Sequence, residues 1–196
     1  MFANRFTVLV DACSLFDVLG RNMLLSLAKW DFYRLSWSAK ILDETERALA
    51  KAFEARGHTE PAHEATRQRQ KMEAAFEEAA VTGFERLVAS LSDLPDQGDA
   101  HVVAAALKTR ASVIVTENLK HFPASILEPL DLEAKSADAF IADTISLDPG
   151  RAVAAIRQMR ERFNRPEKTA EVLLLDLERH GFTETVDALK EHAQSL

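Results

Sequence analysis

The stretch FTVLVDACSLFD, residues 6–17, decides how the rest of the chain is read. Residues 6–10 are β-forming and almost continuously apolar, the pattern of a strand buried on both faces, as in a parallel sheet. The run breaks at once into Asp11, followed by Ala12, the only cysteine of the chain (Cys13) and Ser14. A loop so close to a core usually carries Gly or Ser. A carboxylate there stands at the carboxyl end of a strand, where open parallel sheets bind their ligands.

Working outward, Leu15, Leu19, Met23, Leu24 and Leu27 recur at helical spacing, with Gly20 as punctuation between two short helices over residues 15–35. Ser36 and Ser38 are N-cap candidates for a helix carrying Ile41, Leu42, Ala48, Leu49 and Phe53, which Gly57 closes. Pro61 starts a charged helix, residues 81–91 fit a short strand or a helix, and SDLPDQGDA (92–100) is a loop. DAHVVAAALKT (99–109) reads as a helix with aspartate in its first turn, where the macrodipole favours negative charge. ASVIVTEN (111–118) is the second strong strand, a short strand is expected over 126–130, and a helix starts near Ser136. Beyond Pro149 only helices follow, separated by Pro166 and Gly181. The order of elements is that of an α/β domain with a central parallel sheet. The expected division is a domain over 1–148 and a helical C-terminal extension over 149–196.

The 196 residues suffice for one domain with a small appendage, and 47% hydrophobic with 28% charged residues is ordinary globular composition. No window approaches the roughly 18 uninterrupted apolar residues of a membrane span. The apolar run behind Asn4 and Arg5 is too short for a signal peptide. A single cysteine excludes an internal disulfide and a cysteine-built zinc site, so a cytoplasmic location is expected. With 31 acidic against 24 basic residues, the net charge of -7 has the wrong sign for broad neutralisation of duplex phosphates. An acidic protein still acts on nucleic acid when its carboxylates gather and hold a divalent metal that meets the phosphate.

The carboxylates that matter are therefore those near the strand ends. Asp11 and the TEN of residues 116–118 belong to the same rim. Glu44 shares a helical stripe with Ile41 and Ala48, but Glu46 sits equally well between Leu42, Leu49 and Phe53, and periodicity does not choose between them. Taken singly, Asp96 and Asp99 also fit a turn and a cap, and Asp11 fits a residue that accepts from loop amides.

VLVDACSLFD (8–17), ILDETERAL (41–49), LPDQGDAHVVAAAL (94–107) and VIVTENLKHFP (113–123), in this order, resemble the motifs of the PIN-domain nucleases. The nearest branch is that of VapC-like toxins of bacterial toxin-antitoxin pairs with a helical C-terminal extension. The resemblance implies a three-layer α/β/α fold and an acidic set of Asp11, Glu44 and Asp99 holding Mg²⁺ or Mn²⁺. It implies an RNA substrate, a small antitoxin partner that blocks the acidic pocket with a basic side chain, and a homodimer. The fourth position departs from the common aspartate. Asn118 stands in the first slot and would orient water or a ligand, while His121, where an aspartate is often found, weakens a second tightly held metal. Thr116, Asp96 and His101 are accessory candidates, and Glu117 is expected outside the site.

Cys13 reads as a packing residue, since no motif of a cysteine hydrolase accompanies it. Trp30, Phe32, Tyr33 and Trp37 read as an aromatic-lined core or dimer face rather than a base-stacking surface. Arg157, Arg160, Arg162 and Arg165 form a basic spot that fits a solvated helix face. Three functions are compatible with these residues: a metal-dependent endoribonuclease toxin, a PIN-like interaction module with an acidic set that no longer cuts, and a phosphatase with Asp11 as nucleophile. The last lacks the second aspartate two residues on, where Cys13 stands.

Overall fold

A computed structural model describes residues 6–163 and 167–196. Along the chain run β1 (Thr7–Val10), α1 (Ala12–Phe16), α2 (Val18–Lys29), β2 (Arg34–Ser38), α3 (Ala39–Ala55), α4 (Pro61–Ala75), β3 (Ala80–Val81) and α5 (Glu85–Val88). Then come α6 (Ala100–Thr109), β4 (Val113–Val115), α7 (Ala124–Leu127), β5 (Glu133–Lys135), α8 (Ala137–Leu147), α9 (Pro149–Arg160), α10 (Ala170–Arg179) and α11 (Thr183–Lys190). The architecture is a central parallel sheet flanked by α-helices, with further helices after the last strand.

The described residues form two compact units, one holding Phe6–Phe16 and Arg34–Lys135, the other Asp17–Tyr33 and Ser136–Leu196. The first unit contains the whole sheet, in the order β3-β2-β1-β4-β5, with every pairing parallel. The chain lays strands outward from β1 to β3, then returns to place β4 on the other side of β1. The strand order thus reverses between β1 and β4, and a crevice opens beyond their carboxyl ends. Val8, Leu9 and Val10 are fully buried, as the unbroken apolar run requires, and Leu9 lies opposite Ile114, Val10 opposite Val115. The alanine-rich α6 is an inner helix whose residues Ala100 to Ala106 are all buried, small side chains letting it pack closely.

Some local expectations are corrected and others are met. Residues 34–38 form strand β2 rather than the end of a helix; its polar Ser36 is hidden by donating to Val8 O at 2.9 Å, so it caps nothing. Ser38 is the N-cap, accepting from Ile41 N at 3.2 Å. The strand expected at 126–130 is instead helix α7 and a 3-10 turn, and the pairing strand is β5, whose Glu-Ala-Lys sequence carries no apolar signal because it is a partly exposed edge strand. Residues 81–91 supply both readings in miniature, β3 then α5. Gly57, at φ 76°, closes α3 as expected.

In the second unit, Gly20 lies inside α2 instead of between helices. The break is at Asp17, which caps α2 by accepting from Gly20 N at 2.7 Å. Glycine is needed there for space, because a Cβ would come within 2.6 Å of the Phe182 ring. Of the four aromatic residues, Phe32, Tyr33 and Trp37 are core and Trp30 is only partly buried: Tyr33 packs edge-on against Phe140 in this unit, and Trp37 edge-on against Phe76 in the sheet unit. Arg157 pairs with Glu161 at 3.0 Å and Arg160 donates to Lys168 O, so much of the expected basic spot is already engaged. Asn4, Arg5, Arg165 and Pro166, named in the sequence reading, lie outside the described residues. No helix among the described residues is long and apolar enough to cross a membrane.

Candidate metal centre

The sheet delivers the first carboxylate. Strand β1 keeps its pairing one residue past its end, with Asp11 N donating to Val115 O at 2.9 Å, so Asp11 is clamped at the rim between β1 and β4 and is 4% exposed. Its Oδ1 accepts from Ala12 N at 2.7 Å, and its Oδ2 accepts from Thr116 Oγ1 at 2.8 Å and from the Cys13 thiol at 3.2 Å. Thr116 is fully buried, and its hydroxyl oxygen accepts from Asn118 N at 3.1 Å. The two strand-end loops are therefore laced together through this threonine, and also through Cys13 Sγ, which accepts from Glu117 N at 3.2 Å, and Ser14, which donates to Glu117.

Helix α3 delivers the second. Ile41, Thr45 and Leu49 are buried, and Glu44, on the same side of the helix as Ile41, is half-buried with Oε1 3.3 Å from His101 Nε2. Glu46 is turned to α4 instead, where it accepts from Thr66 Oγ1 and pairs with Arg69 at 2.9 Å. Tertiary packing makes the choice that periodicity left open. The third carboxylate, Asp99, ends the 3-10 turn Gln97–Asp99 that leads into α6. Asp96 shapes that turn by accepting from Gly98 N at 2.8 Å through Oδ1, which leaves its Oδ2 3.8 Å from His121 Nδ1. The same His121 nitrogen is 2.7 Å from Asp99 Oδ2.

Asp11, Glu44, Asp99 and Asn118 line one cavity of about 620 Å³. Phe16, Ala48, Ala52 and Ala55 give it an apolar wall, and Lys51 lines it as well. Thr116 and His101 do not line it but touch Asp11 and Glu44 from behind. Glu117 accepts from Ser14 Oγ at 3.1 Å and is not part of the lining. Asp96, Asp99 and His121 form a second grouping, with one candidate ligand atom from each within 4.8 Å of the others. Asp99 belongs to both.

Charge crowding is visible in the acids themselves. Burial raises the Glu44 carboxyl above its usual range and the charges of Asp11 and Asp99 add to this, while Lys40 and Arg47 oppose it. Burial also raises Asp99, with Asp11 and Asp96 adding to it and the His121 hydrogen bond working the other way. Carboxylates that resist ionising together fit a dication, whose charge removes the conflict, and their oxygens are the donors that Mg²⁺ and Mn²⁺ take.

His101 is 4% exposed, and burial, helped by the Lys40 charge, pushes its imidazole down to about 4. It is therefore neutral at pH 7 and carries one proton. With Nδ1 buried and lacking any partner, that proton belongs on Nε2, facing Glu44; the other tautomer would aim a lone pair at the carboxylate and bury an N–H without an acceptor. The Cys13 thiol is pushed up to about 11 by burial and by Asp11, which suits a packing residue and not a nucleophile.

Two features escaped the sequence reading. Lys51 continues the stripe Glu44, Ala48, Ala52, Ala55 along α3, a spacing that was there to be followed. The other is that the His121 ring nitrogen lies among the carboxylates of Asp96 and Asp99.

The model of the PIN domain family matches residues 7–120, and that of the VapC50 C-terminal domain matches residues 137–191. A curated protein of Mycobacterium tuberculosis (strain ATCC 25618 / H37Rv), named "Putative ribonuclease VapC50", is 38% identical over 92 residues, 47% of this chain and 53% of that protein. The chain thus matches about half the length of this relative. No solved structure matches. With the sheet unit matched almost throughout and the C-terminal helices matched separately, the chain belongs to the PIN domain family, as a VapC-like member with an additional C-terminal helical region of the VapC50 kind.

Proposed function

We propose that this protein is a divalent-metal-dependent endoribonuclease, the toxin of a toxin-antitoxin pair, which hydrolyses RNA phosphodiester bonds and so arrests translation and growth. The observation that carries the reading is the convergence of Asp11, Glu44 and Asp99, from three separate segments, on one cavity beyond β1 and β4. In this reading those three side chains hold Mg²⁺ or Mn²⁺. The bound ion would lower the pKa of a water, align it on the phosphorus and offset the charge that grows on the phosphate.

The chain's own residues do the rest. Thr116 and Ala12 N hold the Asp11 carboxylate in one orientation. The His101 N–H faces Glu44 Oε1 and leaves Oε2 for the ion. Asn118 offers its amide to a water or to the substrate, and Lys51 supplies a positive charge for a phosphate in a cavity otherwise lined by acidic and uncharged residues. The apolar wall of Phe16 and the α3 alanines excludes water on one side. A small antitoxin presenting a basic side chain to the acidic cavity, and a homodimer, complete the proposal.

Purified protein is expected to cut RNA with Mg²⁺ or Mn²⁺ and not with EDTA. The Asp11→Asn variant, with an unchanged circular dichroism spectrum, is expected to lose cutting by at least about a thousandfold. An Asp11→Asn variant as active as the wild type overturns the reading. A second reading, a PIN-like interaction module that no longer cuts, is favoured by the histidine in place of the fourth aspartate; calorimetry showing no divalent binding at millimolar concentration would select it.

A further inference from the structure

We propose that His121 is a direct metal ligand and makes this centre a mixed nitrogen-oxygen site, which selects Mn²⁺ and like transition ions over Mg²⁺. The inference rests on the reading of the acidic cavity as a metal site and concerns which ion that site takes.

The geometry comes first. His121 Nδ1 lies 2.7 Å from Asp99 Oδ2 and 3.8 Å from Asp96 Oδ2, and the candidate ligand atoms of all three residues fall within 4.8 Å of one another. An ion with metal-ligand distances of about 2.1 Å spans roughly 3 Å between neighbouring ligands and roughly 4.2 Å between opposed ones. The cluster therefore needs only small side-chain rotations to close on a cation. Its members are also restrained. Asp96 spends Oδ1 on Gly98 N, which leaves Oδ2 for the cluster, and the His121 backbone is tied to Asn118 O at 2.8 Å. Asp99 connects the cluster to the cavity that Asp11, Glu44 and Asn118 line.

The chemistry then sets the preference. Mg²⁺ is held by charge and hard oxygen, keeps several waters and gains little from an imidazole. Mn²⁺ and the later divalent ions bind imidazole progressively better along the transition series. A carboxylate at position 121 would add a negative charge that favours any dication; a neutral imidazole adds none and contributes a donor that only the transition ions use well. The alternative on the same geometry is that His121 acts as a cation itself, an ion-pair partner that neutralises Asp99 and never touches metal.

The test uses the full chain and needs no RNA. Mn²⁺ and Mg²⁺ are titrated separately by calorimetry into the wild type and into His121→Asp, and the Mn²⁺ complexes are studied by electron-spin-echo modulation. Nitrogen-14 modulation in the wild type that is lost in His121→Asp, with the ratio of Mn²⁺ to Mg²⁺ affinity falling at least tenfold in the variant, is the expected result. Because His101 also faces the acids, loss of the modulation in the variant is what assigns it to His121. If the aspartate variant does not fold, His121→Asn serves for the same comparison. Mn²⁺ binding without nitrogen modulation, or an unchanged affinity ratio, overturns this inference alone. Absence of any divalent binding overturns it together with the metal-site reading beneath it.

Discussion

The Thr116 hydroxyl donates to Asp11 Oδ2 at 2.8 Å, joining residues 105 positions apart in the chain. The bond is buried, and it is the only side-chain hydroxyl on the Asp11 carboxylate among the described residues. Thr116→Val keeps the shape and removes the donor. A hydrogen bond to a charged group is worth about 1.5–3 kcal/mol, so cleavage by this variant is expected to fall roughly 10- to 100-fold, with a smaller loss of thermal stability. Rates in the presence of saturating metal check it.

Glu44→Gln is expected to stabilise the metal-free protein at pH 7. Burial and the neighbouring acids raise the Glu44 carboxyl in the folded state, so the folded protein holds that proton more tightly than the unfolded chain does. Its charge therefore costs stability once the pH has risen through the folded value. Removing it should raise Tm by roughly 2–4 °C, the equivalent of about 1 kcal/mol, and the gain should vanish below about pH 4, where both proteins are neutral at this position. Addition of Mn²⁺ should reverse the order, because the wild type gains more from the ion. Melting curves with and without metal decide this.

His101 predicts the opposite slope. It is neutral in the folded protein and titrates near 4, against about 6.5 when unfolded. Its contribution is present above about pH 6.5 and is lost as the pH falls from there to about 4, at up to about 1.4 kcal/mol per pH unit. In urea titrations, the stability difference between wild type and His101→Gln should change across that window and stay flat above it. A difference that is flat throughout refutes the buried neutral histidine.

Glu46 serves as the control for Glu44. It is committed to Thr66 and to Arg69, which also pairs with Asp43 and with Glu73 at 3.1 Å. Glu46→Gln should leave metal affinity within about twofold while Arg69→Ala lowers stability by about 1 kcal/mol; calorimetry and chemical denaturation separate the two effects. A large loss of metal affinity in Glu46→Gln would mean that the wrong face of α3 had been assigned.

What was legible in the sequence follows from what burial does to composition. Strands β1 and β4 lie in the middle of the sheet and had to be apolar, so their ends, and with them Asp11 and Asn118, were readable. Asp99 was readable as the residue that opens the alanine-rich α6, but pattern left open whether it reaches the rim, and only the family resemblance put it in the acidic set. Strand β2 was hidden because its serine satisfies itself on Val8 O, and β5 because an edge strand of Glu-Ala-Lys carries no pattern. Glu44 and Glu46 were indistinguishable because the deciding partner, α4, is a contact made across the fold rather than along the helix. The nearness of His121 to the acids was hidden for a different reason: its type departs from an acidic set, and only the folded chain brings its ring nitrogen within 2.7 Å of Asp99.

The reversal of strand order between β1 and β4 also sets when during synthesis the site can be completed. Asp11 and Glu44 are made early, but the strand that clamps Asp11, the threonine that orients it and the amide of Asn118 are made only after α6. A chain truncated ahead of β4 therefore carries all the acids of the site and none of the bonds that clamp Asp11 to the second strand-end loop. In the reading proposed for this protein, synthesis itself delays the nuclease until the second central strand has left the ribosome, which is time in which a partner can already be waiting.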